Sequence, residues 1–212
     1  MKKTIELCKV RPGETFTLDG VEFVKLDEDM GQAFVLTRDV ALKNVPFEDD
    51  DADREDHNNF CGSWIEQAMA TWFGDEHAPI FDAAVERDID LTTMDGMTDY
   101  GHPGVSFRLL TIDEYRKYRK LIPLASEPWW IATGWTTKSS PFSNADRAYC
   151  VFTDGTLNDY NVYYAYFEAR PALYLKSSIL VSFDDGKAEE EKHLGDYTEL
   201  ELLAELQRRI QK

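Results

Sequence analysis

The sequence predicts an α+β domain, a twisted antiparallel sheet with two main helices and a further helix at the C-terminal end. Three observations predict it. Short apolar runs with period-two alternation are punctuated by Asp-Gly at 19–20 and at 154–155, the dipeptide that a tight hairpin turn prefers. Thr111 with Glu114, and Thr198 with Glu201, have the capping-box spacing, in which side chain and backbone at a helix start satisfy each other's hydrogen bonds. Finally, 212 residues of which 43% are hydrophobic and 13% aromatic can bury one core of ordinary size without disulfides or metals.

Taken in order, Thr15-Phe16-Thr17-Leu18 and Val21-Glu22-Phe23-Val24 flank Asp19-Gly20 as a hairpin, and Ala33-Phe34-Val35-Leu36 is a third strand. Residues 47–57 hold Glu48, Asp49, Asp50, Asp51, Asp53, Glu55 and Asp56 against one Arg54, so mutual repulsion predicts a solvated, exposed loop. From Ser63 to Phe73 the apolar residues Trp64, Ile65, Ala68, Met69 and Trp72 recur at helical spacing, which predicts the first helix with these residues on its buried face. The second helix starts at Thr111, with Leu110 and Tyr115 as its hydrophobic staple and Tyr115, Tyr118 and Ile122 as its core stripe, and Pro123 ends it. Trp129-Trp130-Ile131-Ala132-Thr133 reads as a buried strand. A small-residue and polar loop over 134–147 separates it from Ala148-Tyr149-Cys150-Val151-Phe152, which returns through Asp154-Gly155, and Ala172-Leu173-Tyr174-Leu175 closes the sheet.

Residues 183–212 differ in character: Asp184-Asp185-Gly186 is a turn, 187–192 is a charged stretch, and a helix from Thr198 carries the apolar stripe Leu200, Leu203, Leu206 and Ile210. This division gives one domain over 1–182 and a charged turn plus C-terminal helix over 183–212, packed on that domain or on a partner.

The order of these elements and several motifs resemble a family of C-type-lectin-like domains from gut Firmicutes and their prophages. The matching stretches are Asn59-Phe60-Cys61-Gly62-Ser63-Trp64-Ile65, Leu91-Thr92-Thr93-Met94-Asp95-Gly96 and residues 107–115 from Phe107-Arg108-Leu109 to Glu114-Tyr115. They continue with Trp129-Trp130-Ile131-Ala132-Thr133, residues 149–157 and Arg170-Pro171-Ala172-Leu173-Tyr174-Leu175. The likeness covers about residues 5 to 182. It departs at Ala68, where the family often has Trp, and at Phe167-Glu168-Ala169, where Tyr-Gly-Val is common; Glu168 replaces a permissive Gly, which predicts a different local backbone. The resemblance implies a C-type-lectin-like fold with a loop-rich face suited to recognition, and it implies no particular ligand.

Several chemistries lack their residues. Asp49, Asp51 and Asp53 alternate as in a calcium loop, but Arg54 stands where Gly is needed and Phe60 where Glu would ligate. Calcium-dependent sugar binding in C-type lectins needs a carbonyl-bearing side chain after Glu127-Pro128, where Trp129 stands. His57, His77, His102 and His193 are dispersed without a His-Glu-x-x-His motif. No nucleophile elbow, phosphate loop or dinucleotide fingerprint is present, and Cys150 within Tyr149-Cys150-Val151-Phe152 reads as a small buried hydrophobe. The expectation is a binding protein, not an enzyme, with no metal or cofactor.

The positive signal lies between residues 135 and 167. Candidate ligand-binding residues are Trp135, Phe142, Asn144, Asn158, Asp159, Tyr160, Asn161, Tyr163, Tyr164 and Tyr166, interleaved with Thr136, Thr137, Ser139, Ser140 and Ser143. Tyr with Ser and Asn is the composition of an adaptable binding surface, rigid amphipathic area beside short hydrogen-bonding groups. Residues 158–166, Asn-Asp-Tyr-Asn-Val-Tyr-Tyr-Ala-Tyr, also resemble the variable positions of retroelement-diversified proteins of this superfold.

The partner expected is a protein or glycan. The net charge of −17 repels a phosphate backbone, so nucleic acid is not expected. No apolar run spans a bilayer, and Met1-Lys2-Lys3-Thr4-Ile5-Glu6 turns polar before a signal-peptide core could form. With three widely spaced cysteines, Cys8, Cys61 and Cys150, the setting expected is cytoplasmic or a phage particle. The alternative function is an assembly component of such a particle, with the C-terminal helix as its contact; the oligomeric state is open.

Overall fold

The computed structural model describes residues 2–184, of which Thr4–Phe183 form one compact unit. The expected C-terminal helix from Thr198 lies outside the described residues. In chain order the elements are β1 (Lys2–Glu6), a 3-10 turn (Leu7–Lys9), β2 (Thr15–Leu18), β3 (Val21–Asp29), β4 (Gln32–Thr37), α1 (Trp64–Glu76), α2 (Ala78–Ala83), β5 (Ala84–Val85), β6 (Arg87–Asp88), β7 (Gly104–Val105), α3 (Ile112–Tyr118), β8 (Trp129–Gly134), β9 (Arg147–Val151), β10 (Leu157–Asn161), β11 (Ala172–Lys176) and β12 (Leu180–Asp184). The architecture is α+β, as expected.

The main sheet runs β1-β12-β2-β3-β4-β11-β5, a second runs β10-β9-β8, and β6 pairs with β7. The expected closing strand, β11, is therefore interior, hydrogen-bonded to β4 on one side and β5 on the other. An interior strand needs apolar residues on both faces, and Ala172, Leu173 and Leu175 meet that need.

Hairpin chemistry follows the turn residues. Asp19 and Gly20 both take positive φ, 48° and 80°, the geometry whose twist matches the flanking strands β2 and β3. Met30 and Gly31, at 50° and 73°, make the same turn between β3 and β4, with Met in a place that normally favours Asn or Asp. The β9–β10 connection differs: Gly155 N–H donates to Phe152 O at 2.8 Å, Gly155 has φ 82°, and the Asp154 carboxylate accepts from Thr156 N–H at 2.9 Å.

Alternate residues of the same strands feed two apolar clusters. Ala33 and Val35 of β4, Trp130 and Ala132 of β8, Ala148 and Cys150 of β9 and Leu173 and Leu175 of β11 join the first; Phe34, Leu36, Trp129, Ile131, Tyr149, Val151 and Ala172 join the second. The first is covered by Ile65, Met69 and Phe73 of α1 and Ile80 of α2, the second by Ile112, Tyr115 and Tyr118 of α3 together with Ile122.

The capping box expected at Thr111 is present, and Ser63 caps the first helix as well. Ser63 accepts from Glu66 N–H at 3.4 Å; Thr111 and Glu114 make both bonds of the capping box, at 3.3 and 2.9 Å. The core stripe of α1 differs from the expectation. Ile65, Met69 and Phe73 are buried, whereas Trp64 is exposed and Ala68 and Trp72 are half-buried. Five apolar positions over nine residues span more of the helix circumference than one contact face can bury, so one four-residue series goes in and the other stays out.

The acidic segment 47–57 is a loop but not a wholly solvated one. Phe47 is buried, edge-on to Phe60 at 6.4 Å and Trp130 at 5.8 Å. Glu48 is buried beside the N-terminus of α1, where its carboxylate accepts from Trp64 N–H at 3.2 Å and Asp49 N–H at 3.0 Å and pairs with Arg54 at 3.2 Å. A carboxylate at a helix start meets otherwise unpaired N–H groups. Glu168 lies outside the positive-φ set, so the backbone needs no Gly there, and its carboxylate instead accepts from Asn44 N–H at 2.8 Å.

Two arginines are buried in this frame. Arg108 pairs with Glu114 and stands over Phe34, 5.4 Å from its ring centre. Arg170 donates to three backbone carbonyls, those of Thr37 and Pro123 at 3.0 Å each and that of Arg38, and stacks 5.1 Å from the Trp129 ring. Burial pulls its guanidinium down to about 10, with Asp39 opposing that shift. Arg170→Met keeps the bulk and removes every donor, leaving the three carbonyls unsatisfied; we expect a loss of about 3–5 kcal/mol, read as a lower urea midpoint at unchanged slope.

Candidate recognition face

Three loops converge on one buried amide. Asn58 donates from Nδ2 to Thr136 O at 3.0 Å and Arg147 O at 2.8 Å, its own N–H donates to Ala145 O at 2.8 Å, and its Oδ1 accepts from the Tyr100 hydroxyl at 2.6 Å. It thereby fixes segment 134–147 to the acidic loop and to the loop preceding β7. Burial pushes the Tyr100 phenol far above its ordinary range, so it stays a neutral donor. Gly134 is required beside it, because a Cβ there would lie 2.8 Å from Asn58 Nδ2 and 3.0 Å from its backbone oxygen.

Carboxylates complete the anchoring. Asp95 accepts the hydroxyls of Thr93 and Ser140, each at 2.6 Å, and Asp99 those of Thr137 and Ser139. Burial opposes ionisation of Asp95, but these hydrogen bonds outweigh it and hold the acid below the usual carboxylate range; those from Ser139 and Thr137 do the same for Asp99. Lys138 pairs with Glu55 across to the acidic loop. The hydroxyls of Thr136, Thr137, Ser139 and Ser140, which the sequence interleaves with the candidate contacts, are used inside the protein. The partners of Thr137, Ser139 and Ser140 lie about forty residues away in Asp95 and Asp99, so only the tertiary fold reveals the pairing, whereas the Thr136 hydroxyl accepts from Asn144 N–H at 2.7 Å.

The ten candidate residues separate into two groups. Trp135 stacks on Tyr149 at 5.7 Å and packs on the second cluster. Tyr163 packs on the first cluster and lies edge-on to His57 at 5.4 Å. Tyr160 packs there too, 4.9 Å from Phe167 and 6.0 Å from Phe152. Asp159 pairs with Arg147, and Asn161 accepts from Tyr163 N–H at 3.0 Å. These five are half-buried and hold the scaffold.

The other five, Phe142, Asn144, Asn158, Tyr164 and Tyr166, are exposed. Phe142 is 83% exposed, Tyr166 78% and Tyr164 46%. Tyr164 is braced by Tyr160 at 5.9 Å and contacts Tyr166 at 6.0 Å. Within the Tyr/Asn-rich stretch 158–166, Asp159, Tyr160, Asn161, Val162 and Tyr163 therefore have structural partners and are at least half-buried, while Asn158 and residues 164–166 are exposed.

Cys150 is buried, and desolvation pushes its thiol up to about 12; it donates to Asn158 O at 3.4 Å. Cys8 is exposed. Among the described residues no group of three or more His, Cys, Asp or Glu side chains is placed to hold a metal ion, and no helix is long and apolar enough to cross a membrane. No family model, curated protein or solved structure matches the chain.

Two outcomes check this geometry. Asn58→Ala removes two donors from buried carbonyls and is expected to cost about 2–3 kcal/mol and to speed amide exchange over residues 134–147. A thiol reagent should label Cys8 in the folded protein and reach Cys150 only on unfolding, since attack requires an exposed thiolate.

Proposed function

We propose that this chain is a non-catalytic recognition domain of C-type-lectin-like architecture that holds a protein or glycan ligand against Phe142, Tyr164 and Tyr166. The architecture is supported by helices starting at the motif positions Ser63 and Thr111, by the antiparallel main sheet, and by a small sheet, β10-β9-β8, bearing long loops.

The observation that carries the function is the contrast within the loop face. Nearly every polar group near it is satisfied by the protein itself, while three large aromatic side chains project into water from backbone that is held in place. Aromatic area presented on ordered backbone binds with little ordering cost. Asn144 and Asn158 supply the flanking amides. The surface needs no metal or cofactor, and nucleic acid is disfavoured by the charge of −17. An assembly role resting on the C-terminal helix falls outside the described residues and gains no support from them.

The test is a glycan array together with a panel of cell-surface proteins, probed with the intact chain and with a Phe142→Ala/Tyr164→Ala/Tyr166→Ala variant. Removing exposed rings leaves the thermal midpoint within a few degrees, and capture should fall by at least about thirtyfold. Equal capture by both proteins excludes this face. Tyr160→Ala and Tyr163→Ala are unsuitable controls, because each opens the apolar cluster beneath.

A further inference from the structure

The outer series on α1 forms a second surface, with Trp64 in water and Ala68 and Trp72 only partly covered by the first cluster. Trp64, Ala68 and Trp72 stand four residues apart, on one side of the helix. Trp64 is 45% exposed. A groove of about 410 Å³ follows this side and ends at Asp75 and Glu76. Beyond Trp64 and Gln67, which line both, a depression of about 310 Å³ opens against Glu48, Asp49, Asp51 and Asp53 of the acidic loop. Trp72 likewise joins the groove to a third hollow of about 390 Å³ beside β3 and β4.

The charge of this surface is one-sided. The groove and the acidic depression are lined by six carboxylates and one cation, Arg54. That guanidinium is already engaged by Glu48 and by the carbonyls of Asp56, Asn59 and Cys61. An incoming Lys or Arg therefore meets unneutralised acid at both ends and an indole face, which attracts cations, at Trp64. Between the acids the lining is apolar or uncharged: Ala68, Thr71 and the two tryptophans.

We propose that this α1 face docks a basic segment of another protein, with an apolar side chain lodged between Trp64 and Trp72 and flanking Lys or Arg side chains against the acidic loop and against Asp75 and Glu76. A second copy of the chain is the poorer occupant. Self-pairing of one patch would bring acid against acid in a protein whose charge is already −17. The surface is separate from the aromatic loop face and does not depend on it.

A library of random linear peptides selected on the full chain tests the proposal. The expected consensus combines Lys or Arg with a Trp, Leu or Phe. A synthetic peptide of that consensus should bind at least about tenfold more weakly to Trp64→Ala and to Asp51→Lys/Asp53→Lys. Its affinity should fall with added salt and be unchanged in Tyr166→Ala; Trp64→Phe should retain part of it. Circular dichroism identifies any variant that has lost its fold, and the exposed position of Trp64 makes Trp64→Phe the conservative reserve. A neutral or acidic consensus, the absence of any enriched peptide, or binding indifferent to Trp64 and to charge reversal overturns the proposal. So does a wild-type dimer that Trp64→Ala converts to monomer in sedimentation equilibrium, which would assign the face to a second copy.

Discussion

Trp129 and Trp130 are neighbours in β8, so the pleat sends their indoles to opposite faces of the strand, and both are buried. A strand can hold such a pair only where apolar layers cover it on two sides. The requirement repeats in β4, β9 and β11, whose consecutive residues enter one cluster and then the other. Helices must then lie on both sides, α1 and α2 over the first cluster and α3 over the second. Truncating either indole to Ala would cost about 3–5 kcal/mol, so the two clusters cannot be disturbed separately without cost to the whole. The connections between doubly buried strands run over the surface, and these are the loops that carry the candidate face.

Burying both faces of a strand also buries the ends of its backbone, and there the protein uses arginine. Thr37, Arg38 and Pro123 present carbonyls at the margin of the second cluster, and the Arg170 fork reaches all three at once. A lysine ammonium lacks the planar spread of donors to do so. The charge that comes with those donors is accommodated by the Trp129 face and by nearby Asp39. Arg108 solves the corresponding problem at the start of α3, where Glu114 is shared between the guanidinium and the capping box. A chain with 40 acidic residues keeps these two cations inside because the backbone there needs donors.

What the sequence revealed was local. The capping box at Thr111, the Asp19-Gly20 turn and the buried run from Trp129 depend on residues within a few positions of one another, and each was legible. What it concealed depends on distant partners or on short elements. α2 has six residues, too few to establish a helical period. β1 joins the sheet beside β12, at the opposite end of the described residues. The roles of Thr137 and Ser140 are invisible without Asp99 and Asp95, and those of Tyr160 and Tyr163 without Phe167 and His57. The composition of segment 135–167 could not separate its exposed rings from its half-buried ones, because Tyr and Thr serve equally as contacts and as internal struts.

The two exposed surfaces share an origin in geometry. A helix buries one four-residue series and a strand one parity against a given core, and whatever occupies the remaining register meets water. Usually those positions hold Lys, Glu or Ser. On α1 they hold Trp64, Ala68 and Trp72, while Tyr164 and Tyr166 lie in the turn after β10, outside any strand register. A ring left in water contributes little to folding, since the stabilisation scales with apolar area removed from water. Replacing Trp64 with a polar residue would therefore leave the core of Ile65, Met69 and Phe73 intact. Folding alone gives no reason for the Trp64 indole on the outer line of α1 or for the Phe142 ring on a loop already fixed by Asn58 and Asp95, whereas Trp72 packs partly on the first cluster. Contact with something else is the reason we propose, and the two surfaces would differ in what they select. In that proposal the projecting tyrosines would read shape, whereas the α1 groove, bounded by carboxylates, would read charge.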